Sequence, residues 1–217
     1  MSAASLDSAL WVLGRGTGIV ALLLLTATLV LGITVRSRRS IAGLPRFGTA
    51  AIHKTASLTA TGLIAVHVLT LLLDPQAGLK LVDLIVPFAG SYRPFYLGLG
   101  TLALELVVLV AATGMLRKRI GERTFHAIHL ASYALWPVAL GHALGTGSDA
   151  GSLWMDALAA SCVAAVVAAG WWRLGPSFGI VKPTRSVAGA TGLEHPEPLG
   201  AADLGGRVAL LGEPGRQ

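Results

Sequence analysis

The chain has 217 residues, 53% of them hydrophobic and only 13% charged, with a mean hydropathy of +0.69. Soluble domains carry about twice that charged fraction, so the composition excludes a cytosolic enzyme and a nucleic-acid-binding domain. The net charge of +6 comes from Lys and Arg clustered between apolar runs, where it reads as a membrane topology signal, and the single Cys162 excludes an internal disulfide or a multi-cysteine metal site.

Crossing a bilayer takes about 20 apolar residues as a helix, and five segments suffice: 9–33, 48–73, 94–116, 124–144 and 153–172. The first is too long for a cleavable signal peptide, has no basic residue before it, and is followed by Arg36, Arg38 and Arg39. The connection 34–54 carries five basic residues, 117–123 carries four and the segment from Arg173 onward five, against Lys80 and Arg93 on the opposite side. The positive-inside rule then puts the N-terminus, 1–8, outside and the C-terminus in the cytoplasm, as five crossings require. Between the second and third spans, 74–93 is the longest external loop, and its apolar residues from Leu79 to Phe88 suggest a short interfacial helix stopped near Pro87. Trp11, Tyr92, Tyr96, Trp154, Trp171 and Trp172 fall near span ends, where amphipathic rings prefer to lie. The expected organisation is an all-α membrane bundle over 9–173 and a Gly/Pro-rich, flexible cytoplasmic tail over 174–217. That tail is shorter than the ~100 residues of a folded nucleotide-binding domain, and no phosphate-binding glycine fingerprint follows a strand. A flavin or nicotinamide domain within the chain is therefore not expected.

Six histidines remain. His195 sits in the tail; His53, His67, His126, His129 and His142 fall in the second and fourth spans, where an ionisable group is costly and a functional candidate by default. His67 follows His53 by 14 positions and His142 follows His129 by 13, separations of about 21 and 20 Å along a helix. Both spans run in the same direction, so His53 and His129 are level near the inner face, and His67 and His142 near the outer. Two helices offering two level imidazole pairs can hold two haems stacked across the bilayer. Fourteen residues return to within about 40° of one face, whereas thirteen miss by about 140° in an ideal helix. Pro137, between His129 and His142, distorts the helix there. His126 as the alternative partner gives a spacing of 16, which fits less well, so His129 is the preferred ligand and His126 a surface residue. Cys162 reads as a small packing residue.

Two charges lie inside spans. Arg15 either snorkels to the outer interface or pairs with a haem propionate, which a guanidinium fork fits. Glu105, near the middle of the third span, must be protonated or paired, with proton transfer or quinone contact as its functional reading.

The 14-then-13 spacing on alternate helices resembles the ferric reductase-like transmembrane domain, the family of NADPH oxidases, ferric reductases and the membrane haem subunit of the bacterial methionine-sulfoxide repair system. Leu13-Gly14-Arg15-Gly16-Thr17-Gly18 in the first span, and Phe125, His129 and Tyr133 in the fourth, match it too, and the likeness runs over about 10–172. It implies two b-type haems, with His53 and His129 on the inner iron and His67 and His142 on the outer, and Arg15 at a propionate. The chain departs from the oxidases in its missing dehydrogenase domain and sixth span. The function expected is therefore an oxidoreductase subunit in the cell (inner or plasma) membrane. It would pass electrons from a separate flavoprotein carrying FMN or FAD, or from a quinol, to an external acceptor or partner protein, with no role for nucleic acid. The rival readings are a haem-free proton or metal transporter using the histidines and Glu105, and a membrane anchor subunit.

Overall fold

The computed structural model describes residues 3–35, 46–147 and 149–174. The tail from 175 onward, with His195, and the basic cluster Arg36, Arg38 and Arg39 lie outside the described residues. The rest is all-helical: α1 (Ala3–Val35), α2 (Arg46–Leu73), α3 (Pro94–Ile120), α4 (Glu122–His129), α5 (Ser132–Thr146) and α6 (Leu153–Leu174). Four of these helices are long and apolar enough to cross a membrane, α1, α2, α3 and α6. The loop 74–93 forms a single 3₁₀ turn, Leu81–Leu84, instead of an interfacial helix. The buried Asp83 closes it: its carboxylate accepts the Lys80 N–H at 3.0 Å, and its carbonyl accepts the Thr101 hydroxyl at 2.5 Å. Loop and α3 are thereby tied together before an amphipathic helix can develop.

The fourth apolar run departs from expectation, because it is broken at Leu130–Ala131 into α4 and α5. Around the break the ladder tightens to i→i−3 bonds: Ala131 to Ile128, Tyr133 to Leu130 and Ala134 to Ala131, at 2.9–3.0 Å. Pro137 lies a turn further on and has no N–H to give the Tyr133 carbonyl. The His129 carbonyl, which an α-helix would bond to the Tyr133 N–H, instead accepts the Ser132 hydroxyl at 2.7 Å. This break makes up about half of the rotation that the 13-residue spacing lacks. A 3₁₀ residue turns about 120° and rises about 2.0 Å, against about 100° and 1.5 Å in an α-helix. Three or four such residues recover about 60–80° of the missing rotation and about 1.5–2 Å of rise, the equivalent of one α-helical residue.

The helices pack as two antiparallel pairs. In the first, Gly14 of α1 lies against Thr70 and Leu71 of α2, and Gly32 against His53. In the second, Gly100 of α3 lies against His142 of α5, and Gly145 against Tyr96. Without a hydrophobic force between helices in lipid, close approach at small residues supplies the packing. α1 is the hub: its Leu29 and Ile33 form a buried cluster with Trp136, Cys162 and Ala169 of α5 and α6. Trp136 donates its indole N–H to the Thr26 hydroxyl at 2.9 Å, and Thr26 in turn donates to the Leu22 carbonyl at 2.9 Å. Every polar atom in that chain of bonds is satisfied without water, as a membrane interior demands. Val20, Leu23, Leu58, Leu69, Val108 and Val167 are exposed on helix faces, a surface that suits lipid contact. The chain is a multi-pass membrane protein.

Candidate functional site

Four of the histidines stand in two facing pairs. The rings of His53 on α2 and His129 at the end of α4 have centroids 6.3 Å apart with planes at 78°, and those of His67 on α2 and His142 on α5 stand 6.5 Å apart at 82°. Both separations are at the long end for an edge-to-face ring pair. Metal–imidazole bonds of about 2 Å on both sides of one ion, with about 1.1 Å from each nitrogen to its ring centre, give a separation close to 6.3 Å.

Three of the rings are fixed in the same way. His67 lies over Gly18, where an added Cβ would come within 2.9 Å of the ring, and its Nδ1 meets the Gly14 carbonyl at 2.6 Å. His53 lies over Gly32, within 3.2 Å, with Nδ1 3.0 Å from the Thr28 carbonyl. His142 lies over Gly100, within 2.5 Å, with Nδ1 3.0 Å from the Tyr96 carbonyl. A carbonyl can only accept, so Nδ1 carries the proton and Nε2 keeps its lone pair for a metal. Such outer hydrogen bonds set the tautomer and ring angle of a metal ligand. The fourth ring, His129, stacks on Phe125 at 5.1 Å and 25°, with Arg117 over the Phe125 ring at 5.6 Å, and its buried Nδ1 has no partner among the described residues. His126 is exposed and approaches Glu122 one turn away at 3.4 Å, as expected of a surface residue.

The His67–His142 pair opens on a cavity of about 520 Å³ lined among others by Arg15, Gly18, Gly100 and Asp149, well within the range for cofactor pockets, roughly 300–1,000 Å³. At its rim Arg15 pairs with Asp149 and lies between the rings of Trp11 and Trp154, 4.9 and 5.9 Å from their centroids. Glu105 is exposed on α3 and makes no hydrogen bond or ion pair with the described residues. Among those residues no group of three or more His, Cys, Asp or Glu converges on a point. Two opposed imidazoles are too few for a tetrahedral zinc site, whereas a haem would ask the protein for no more than such a pair of histidines and would supply one-electron chemistry there. The apolar cavity and the glycine floors fit haem.

The model of the ferric reductase-like transmembrane component matches residues 17–140, more than half of the chain. The chain belongs to this family. A ferric reductase-like component is part of a membrane electron-transfer system, and the match takes in three of the four paired histidines and stops two residues short of His142. No curated protein and no solved structure matched the chain.

The sequence reading of this ferric reductase-like chain named the four histidines and Arg15 but overlooked the glycines beneath the rings. Their signal was present: Gly18 and Gly32 are 14 apart on α1, the same interval as His53 and His67 on the antiparallel α2.

Proposed function

We propose that the chain is a di-haem b-type cytochrome subunit that moves electrons across the bilayer. His53 and His129 hold the inner haem and His67 and His142 the outer. Haem iron takes up and releases single electrons without a coupled bond change, and its potential responds to axial ligation and burial. The observation that carries this reading is the pair of nearly equal histidine separations, 6.3 and 6.5 Å, one at each end of α2. The residues' own task is to hold neutral imidazoles rigidly, exclude water and place two acceptors one above the other. Arg15, already at the cavity rim, is suited to a propionate of the outer haem, with Asp149 holding its guanidinium in place.

Counting α4 and α5 as one broken crossing gives five spans. The basic residues at the α3–α4 junction and Arg173 at the end of α6 then mark the cytoplasmic side. The donor is a separate flavoprotein or a membrane quinol, and the acceptor an external oxidant or redox protein. A polar transport relay finds little support, since Glu105 is exposed and does not line the cavity beside His67 and His142. Single His→Ala variants test the assignment by the reduced-minus-oxidised spectrum of the purified protein. Loss at His53 or His129 removes one haem, and loss at His67 or His142 the other; a His126→Ala variant that loses haem while His129→Ala keeps it would overturn the ligand choice.

A further inference from the structure

We propose that Gly114 is the seat of His129: when the inner haem is bound, the His129 ring lies over Gly114 and its Nδ1–H bonds to the Val110 carbonyl. The inference rests on the di-haem reading and deepens its inner site. The other three histidines obey one rule, in which the ring covers a glycine and Nδ1 meets the carbonyl four residues before it: Gly18 with Gly14, Gly32 with Thr28, and Gly100 with Tyr96. On α1 the two seats are 14 residues apart, and on α3 Gly114 follows Gly100 by 14.

The local chemistry repeats as well. Thr17, just before Gly18, donates to the Leu13 and Gly14 carbonyls at 2.7 and 3.0 Å; Thr113, just before Gly114, donates to the Leu109 and Val110 carbonyls at 2.8 and 3.1 Å. The 13-residue step from His142 back to His129 reaches as far as 14 α-helical residues because of the tightened turn, so His129 is level with Gly114. Of the four Nδ1 atoms, only that of His129 has no partner among the described residues. Nothing stands within 4 Å of a Cβ built on Gly114, and α4 buries none of its residues. The seat is therefore open, and the element carrying the ring is free to settle on it.

The test is the Gly114→Ala variant of the full chain in detergent, with Gly62→Ala and Gly170→Ala as controls, which also have nothing within 4 Å. Haem per chain, electron paramagnetic resonance of the oxidised low-spin centres and a reductive titration are read. Gly114→Ala should lose the inner haem, or keep it with one resonance and one midpoint potential displaced. The outer centre should be unchanged and the controls identical to the parent. Because alanine in an open helical position favours folding, misfolding does not account for a selective loss. Two haems with both resonances and both potentials unshifted would overturn the seat, as would equal loss of both centres. A parent chain without haem would instead overturn the di-haem reading itself.

Discussion

Gly18 and Gly100 decide whether the outer imidazoles can be where they are. Alanine at either would place a methyl within 2.9 or 2.5 Å of a ring held by a backbone carbonyl, closer than a Cβ can sit, so the ring must leave its place. Both Gly→Ala variants are expected to lose the outer haem, seen as a halved reduced band, although alanine raises helix propensity by about 1 kcal/mol. Arg15 serves differently. Its removal leaves the partly buried Asp149 carboxylate without a partner and strips the cation from between Trp11 and Trp154. Arg15→Ala should cost about 1–2 kcal/mol in thermal unfolding, after allowance for solvent screening. Arg15→Lys should recover less than half, because an ammonium lacks the planar fork.

At the level of helices, the α4–α5 break is the feature with most consequence for the inner site. It makes up the rise and about half of the rotation that a 13-residue histidine spacing lacks, with Pro137 downstream and the Ser132 hydroxyl capping the His129 carbonyl. Pro137→Ala should let the helix run continuously through Leu130. His129 then rotates away from His53, and the inner haem falls below the outer in occupancy by spectral titration; a variant with both haems at parent level would show that the break has another cause. The apolar runs were readable from the sequence because hydropathy needs no knowledge of neighbours, and so was the four-histidine pattern, which depends only on helical rise. The break was not, because a proline's effect on the turn before it depends on which carbonyls find other donors. Nor were the glycine seats, which exist only once α1 lies antiparallel to α2, and α3 to α5. The expected interfacial helix shrank to one turn because Asp83 and Thr101 close the loop onto α3.

For the whole molecule, the arrangement is one long hub helix, α1, touching α2, α5 and α6, with two imidazole pairs at different depths of the same bundle. Proposed orientation and electron path stand together, since a cytoplasmic donor must meet the His53–His129 end. Reporter substitutions test this: in intact cells, Lys80→Cys should react with an impermeant maleimide and Lys118→Cys should not, while the buried native Cys162 stays silent. The reverse pattern would invert the direction of transfer. The most direct measurement is the haem-to-chain ratio of the purified protein, taken with its dithionite-reduced spectrum after expression with ample haem. Two b-type haems per chain is the predicted result, and a colourless protein would contradict the account at its centre.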